Sequence, residues 1–204
     1  MAAEHTNPVL TLLANVNQLQ TERHYPENGL NFAGGYWRAY YHCHESTPMH
    51  KNEHGHFHLF TDIGNQHWAH VAGLSIDAEG QALQWFTVNR WVSDGPWLVT
   101  TDFRRQLQYI SAKSTQQNLV ARWLEVLLQL YCEDLYSLLV SRDKKLQQFA
   151  AGQSREQILE DREIYQLSAQ DIDITRMLEN YLLDRSTSVS ELNNNNEQTQ
   201  RELG

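Results

Sequence analysis

Between positions 42 and 58 the chain places six of its ten histidines, and five of them, His42, His44, His54, His56 and His58, share one spacing. They recur at every second position, in His42-Cys43-His44 and again in His54-Gly55-His56-Phe57-His58. Successive side chains of a β-strand point to opposite faces, so each run predicts a row of imidazoles on one face of its strand. Two histidines at i and i+2 can chelate one ion, and cross-strand neighbours bring further nitrogens to within roughly 5 Å at Cβ. Imidazole suits Fe, Zn or Cu. Glu45, Glu53 and Asp62 flank the runs and offer oxygen ligands. Three histidines, or two with a carboxylate, leave an open coordination position for water or substrate. The candidate metal ligands are therefore His42, His44, His54, His56 and His58, with Glu53 as a further ligand or a catalytic base. No thiolate cluster accompanies them, which disfavours a structural zinc site. Cys43 has the opposite parity to His42, which disfavours a blue-copper set.

The parity of the first run extends to Tyr36, Arg38 and Tyr40. Arg38 is placed to contact an anion, and Tyr40 to line the same pocket. Glu53, Arg38 and Tyr40 are thus the candidate catalytic residues. A second group, Asn89-Arg90-Trp91 through Asp94-Gly95-Pro96-Trp97, reads as structural, with Arg90 paired to Asp94. His5, His24, His50 and His67 read as ordinary polar positions. His70 reads as a core histidine or an extra wall residue. The five clustered histidines also admit a metal-free reading, as a hydrogen-bonded polar layer.

These side chains need elements to hold them. Apolar residues at Val9, Leu10, Leu12, Leu13, Val16 and Leu19 predict a helix over 8–20, with Asn7 as N-cap and Pro8 at its first position. Pro26, Gly29, Gly34 and Gly35 predict a loop over 24–35. Strands are expected at 36–44, 54–61, 68–77 and 82–92, and their short connections suggest an antiparallel meander. In the first two, the odd positions are the apolar set, so both strands turn their histidines to one shared face. Residues 102–110 suit either a short helix or a strand. Apolar spacing of three and four over 118–149 predicts one long helix, with a break near Ser141. That helix would pack on the sheet or form a homodimer interface, and its burial against the histidines would exclude water. Two further helices are expected at 154–167 and 169–184, and the polar stretch 185–204 reads as a disordered tail. The fold class is α+β. A single domain over 1–184 would combine an N-terminal helix, a sheet of about four strands within 36–111, and a helical segment over 118–184.

With 204 residues the chain can bury a sizeable core. Its net charge of −9, with no basic cluster, argues against nucleic acid and anionic membranes as partners. Two cysteines cannot build a disulfide framework. Neither a signal peptide nor a membrane-spanning run is evident, so a cytoplasmic protein with a small-molecule substrate is expected.

Residues His54-Gly55-His56-Phe57-His58-Leu59-Phe60 resemble the histidine-triad motif of nucleotide hydrolases and transferases. That resemblance implies His56 as a nucleophile on a nucleotide α-phosphate. It covers seven residues, and Gly55 stands where the motif has an apolar residue. Over a longer span, Glu53 to Phe60, His70 to Asp77 and Phe86-Thr87-Val88-Asn89-Arg90-Trp91-Val92 resemble a bacterial family described only as a domain of unknown function. It implies no activity. The expectation is a histidine-rich metalloprotein, most simply a metal-dependent oxidoreductase or hydrolase. The alternatives are a non-catalytic metal-binding protein and a histidine-triad-like nucleotide hydrolase.

Overall fold

In a computed structural model that describes residues 7–44, 50–110, 116–149 and 152–179, the alternating segments become strands. Six strands, β1 (Tyr25–Phe32), β2 (Trp37–His42), β3 (Gly55–Asp62), β4 (Trp68–Ile76), β5 (Ala82–Val88) and β6 (Gln166–Asp171), form one antiparallel sheet in the order β1-β2-β3-β4-β5-β6. The helices are α1 (Pro8–Leu12), α2 (Arg90–Ser93), α3 (Thr100–Leu107), α4 (Leu119–Leu130), α5 (Cys132–Phe149) and α6 (Arg155–Leu159). The class is α+β, with a six-stranded sheet in place of the expected four.

The odd positions Trp37, Ala39, Tyr41, Phe57 and Leu59 are buried to 1% exposure or less. They meet the helices. Trp37 donates its Nε1–H to Gln106 O just inside α3 at 3.1 Å. The Trp123 ring of α4 lies 5.9 Å from Phe57, and Trp85 meets Tyr131 at 6.2 Å. Ser168 Oγ donates to Leu138 O of α5 at 2.9 Å. The helices α3 to α5 therefore cover the face opposite to the histidines, which corrects the expectation that they would cap the histidine row. No helix among the described residues is long and apolar enough to cross a membrane.

The departures from the expected elements have local causes. Pro26 and Gly29 argue against a central strand, but β1 is an edge strand and pairs with β2 through a register shift between Tyr25 and Leu30. β6, expected to be helical, is likewise an edge, and it is held partly by polar cross-strand contacts such as Thr87 Oγ1 to Ser168 Oγ at 2.6 Å. Its polar sequence carries little helical or strand preference, so pairing decides. β5 stops at Val88 because Asn89 caps α2 and donates its Nδ2–H to Ile158 O at 2.8 Å. Helix α1 ends at Leu12, well before Gln20. The expected long helix breaks at Tyr131 (φ −102°, ψ 21°) and not near Ser141. The described part of the last expected helix starts after Asp173, whose Oδ1 accepts from Arg176 N at 2.9 Å. Contacts divide the chain between Ile172 and Asp173. The tail at 185–204 and Glu45 lie outside the described residues.

One irregularity shapes the histidine face. β3 and β4 pair Leu59 with Ala72 but Phe60 with His70, so Val71 is an extra residue in β4. Such a bulge reverses side-chain phase. Gly73 and Ser75 stand opposite His58 and His56, while His70 joins the same face beside Phe60. Gly73 has a second role. A Cβ there would lie 2.1 Å from Phe86 Cζ, so the bare backbone lets the Phe86 ring lean across β4 and floor the cluster. Phe86 stands edge-on to His56 at 5.2 Å. Replacing Gly73 with Ala should therefore displace Phe86 and cost about 1–3 kcal/mol by overpacking. Urea denaturation measures this, and an unchanged midpoint would contradict the packing.

Candidate metal centre

The register of β2 and β3 puts His42 opposite His56 and Tyr40 opposite His58. Same-face neighbours across two strands approach closely, and here His42 Nε2 and His56 Nε2 are 2.7 Å apart. His44 follows β2, and its ring lies 4.6 Å from that of His42 and 5.1 Å from that of His56. Each of the three offers a ring nitrogen within 4.8 Å of the other two. A carboxylate holds the far side of two of these rings. His56 Nδ1 meets Glu53 Oε1 at 2.6 Å, and His44 Nδ1 is hydrogen-bonded to the Glu22 carboxylate.

These partners assign the protons. Nδ1–H donates to the carboxylate in His44 and His56, which leaves each Nε2 as a bare lone pair. The close Nε2 contact then needs the proton of His42, and His42 Nδ1 becomes bare as well. His42 Nδ1 and His44 Nε2 are both buried without a hydrogen-bond partner. Buried nitrogens without partners are costly, so a cluster of them calls for an explanation. A cation would supply one: in the place of the proton shared between His42 and His56 it would also meet the lone pair left unused on His44 Nε2, the His42 proton then residing on Nδ1.

Burial sets the charge state. Desolvation, reinforced by the neighbouring imidazoles of His56, His44 and His24, pushes His42 down to about 2. Desolvation, reinforced by the imidazoles of His56, His70, His42 and His44, holds His58 well below the ordinary histidine value. Desolvation, with Arg142 and His56 behind it, pushes His70 down to about 3. All three are neutral at pH 7, the form that ligates metals. Burial raises the Tyr40 phenol to about 12, so it too is neutral.

The expected residues separate into groups. His42, His44 and His56 converge. His58 adjoins them, 4.8 Å from His56 and 5.1 Å from His42 between ring centroids, but its Nδ1 engages His70 Nε2 at 2.8 Å. His54 departs: it is exposed, and its Nδ1 lies 2.5 Å from the hydroxyl of Tyr41, a core-face residue. It precedes the first residue of β3, so strand alternation does not govern it. The Glu53 side chain is 2% exposed and touches His56, which fits orientation of the ring. Tyr40 stacks on His24 at 3.8 Å and lies 5.5 Å from His58. Arg38 donates from Nη2 to Asn28 O at 2.7 Å. Asp62 is occupied by its turn, accepting from Gly64 N at 2.8 Å. Arg90 pairs with Glu160 at 2.6 Å, not with Asp94.

Sequence reasoning missed Glu22 and His24, and it did not settle His70. His70 reaches the face only through the bulge at Val71. Residues Glu22 and His24 arrive because the strip before β1 runs back over the end of β2, where Glu22 N donates to Cys43 O at 3.0 Å. No local pattern marks either event.

The chain belongs to the family described as Domain of unknown function (DUF6969), whose model matches residues 1–172. This agrees with the resemblance carried by residues 53–60 and 86–92. No curated protein and no solved structure matches the chain.

The buried neutral histidines imply an acid-sensitive fold in the metal-free protein. His70 has an unfolded value of 6.5 and a folded value of about 3, so its contribution is complete above pH 6.5 and is lost as pH falls toward 3. Chelator-treated protein should show a lower urea midpoint at pH 5.5 than at pH 7.5, a window above most carboxylate titration. Equal midpoints would contradict burial of neutral imidazoles.

Proposed function

We propose that this chain is a metal-binding protein in which His42, His44 and His56 hold a first-row transition metal ion, and that it is a metalloenzyme acting on a small molecule. The observation that carries this is the pairing of His44 with Glu22 and of His56 with Glu53. Metal-binding histidines generally give their second nitrogen to a carboxylate, carbonyl or water, which fixes the tautomer and raises ligand basicity. Two of three converging histidines have such a partner, and buried ring nitrogens remain for an ion.

Three imidazoles leave at least one coordination position open, the arrangement that catalytic sites use. A bound ion would act as a Lewis acid at that position. The chain's own residues perform the rest. Glu53 and Glu22 orient ligands, Phe86 floors the cluster, and His58 with His70 extends a dry polar wall. Imidazole ligands suit Zn, Cu, Fe or Ni. Cys43 is buried on the other parity, so no thiolate joins the set. The alternative of a histidine-triad nucleophile finds less support. His56 is fully buried, and both its ring nitrogens face protein groups.

Elemental analysis of protein purified without an affinity histidine tag tests the centre. Near-stoichiometric metal is expected, with loss in His44→Gln and His56→Gln while circular dichroism stays unchanged. Glu53→Gln should retain the ligands but weaken affinity by about 10–100-fold, measured by competition with a chelator. Absence of bound metal, together with no uptake of added Fe(II), Zn(II) or Cu(II), would remove the proposal.

A further inference from the structure

Along the histidine face, a cavity of about 400 Å³ lies beyond Tyr40. Its walls include His24, Arg38, Tyr40, Phe60 and Trp68. Tyr40 and His24 belong to both places. They line the cavity, and their rings lie 5.8 and 5.6 Å from that of His42. Arg38, Tyr40 and His42 occupy alternate positions of β2, so all three project from one face. The volume falls within the range of small-ligand sites, and aromatic walls with a few charged groups, here Arg38, Glu27 and Asp94, match their usual lining.

Arg38 is held in place but not neutralised. Asn28 O accepts from Nη2 at 2.7 Å, and the guanidinium lies 5.8 Å from the centre of the Trp68 ring. Gly29 makes room for it: at φ +70° a Cβ would come within 2.4 Å of Arg38 Nε. Among the described residues Arg38 forms no ion pair, and its buried Nε–H has no hydrogen-bond partner. Guanidinium presents five N–H donors in a planar fork that matches a carboxylate. A single cation balances a single negative charge. Glu27 and Asp94 also line the cavity; Glu27 is paired with Arg23 at 3.5 Å, and the carboxylates restrict the ligand to one negative charge held directly on Arg38.

We propose that this cavity binds a small, flat carboxylic acid, its carboxylate on Arg38 and its ring among Tyr40, Phe60 and Trp68, beside the histidine centre. The inference rests on the metal-centre assignment for its catalytic meaning, whereas acid binding itself needs no metal. The acid is then the substrate class, and the part of the molecule nearest Tyr40 is the part that reacts.

Titration calorimetry on the metal-free full chain decides it, with benzoate, benzamide and phenyl phosphate as probes. Benzoate should bind about 10–100-fold more tightly than benzamide, the worth of a charge-assisted hydrogen-bond pair. Arg38→Gln should abolish that preference without changing metal content, and Arg38→Lys should keep only part of it, because a point charge replaces the fork. His56→Gln should lose metal but bind benzoate as before. Benzoate binding no better than benzamide, or a preference that survives Arg38→Gln, would overturn the acid site. Tighter binding of phenyl phosphate would overturn the choice of carboxylate. Benzoate bound by a protein that takes up no metal would remove the metal centre and leave the acid site standing.

Discussion

The pairing of His42 with His56 across β2 and β3 is the constraint on which the rest of the site depends. It places two ring nitrogens 2.7 Å apart inside the protein. Two neutral imidazoles can share one proton at that distance, but two imidazoliums would repel each other in a medium that screens poorly. The surroundings meet this constraint from several sides. Glu53 and Glu22 set the tautomers from outside the sheet. Phe86 and Gly73 keep the floor dry. His58 and His70 continue the polar row as a second hydrogen-bonded pair.

The sheet lets this row exist without weakening the core. The helices pack on the odd-numbered face of β2 and β3, where Trp37, Tyr41, Phe57 and Leu59 supply the apolar burial. The opposite face is thereby available for polar groups. The β3 side chains are nevertheless buried on both faces, because the strip containing Glu22 and His24 crosses the end of β2 and the Phe86 ring leans over β4. A buried polar row is costly unless its groups find partners. The partners present satisfy most of its nitrogens, and those they leave bare are at His42 and His44, where the proposed ion would sit.

Arg38 and Tyr40 extend the same strand face from the cluster to the cavity. A strand is a rigid ruler, and a residue two positions further on lies roughly 7 Å away on the same side. The proposed acid site and metal centre would therefore share the face of β2, with His56 from β3 and His44 just past the end of β2 completing the ligand set. Gly29 contributes from β1: its backbone conformation and missing side chain seat the Arg38 guanidinium.

Much of this was legible in the residues themselves. Alternation in 36–44 and 54–61 specified strands, and shared parity specified a common histidine face, because side-chain period in a strand is fixed by backbone geometry. The family resemblance carried by residues 53–60 was readable too. Other features were decided only by the tertiary structure. His54 has the right parity and leaves the face because it lies outside the paired segment and meets Tyr41. His70 gains the face through a bulge of one residue, which depends on how two strands pair and not on either strand alone. Glu22 and His24 come from a stretch without regular pattern. β1 and β6 are strands only because a neighbour offers an edge. Sequence alone determined which residues could ligate and which face they would share. The fold decided which of them meet, since convergence depends on register, bulges and chain crossings, and these are set by pairing partners far away along the chain.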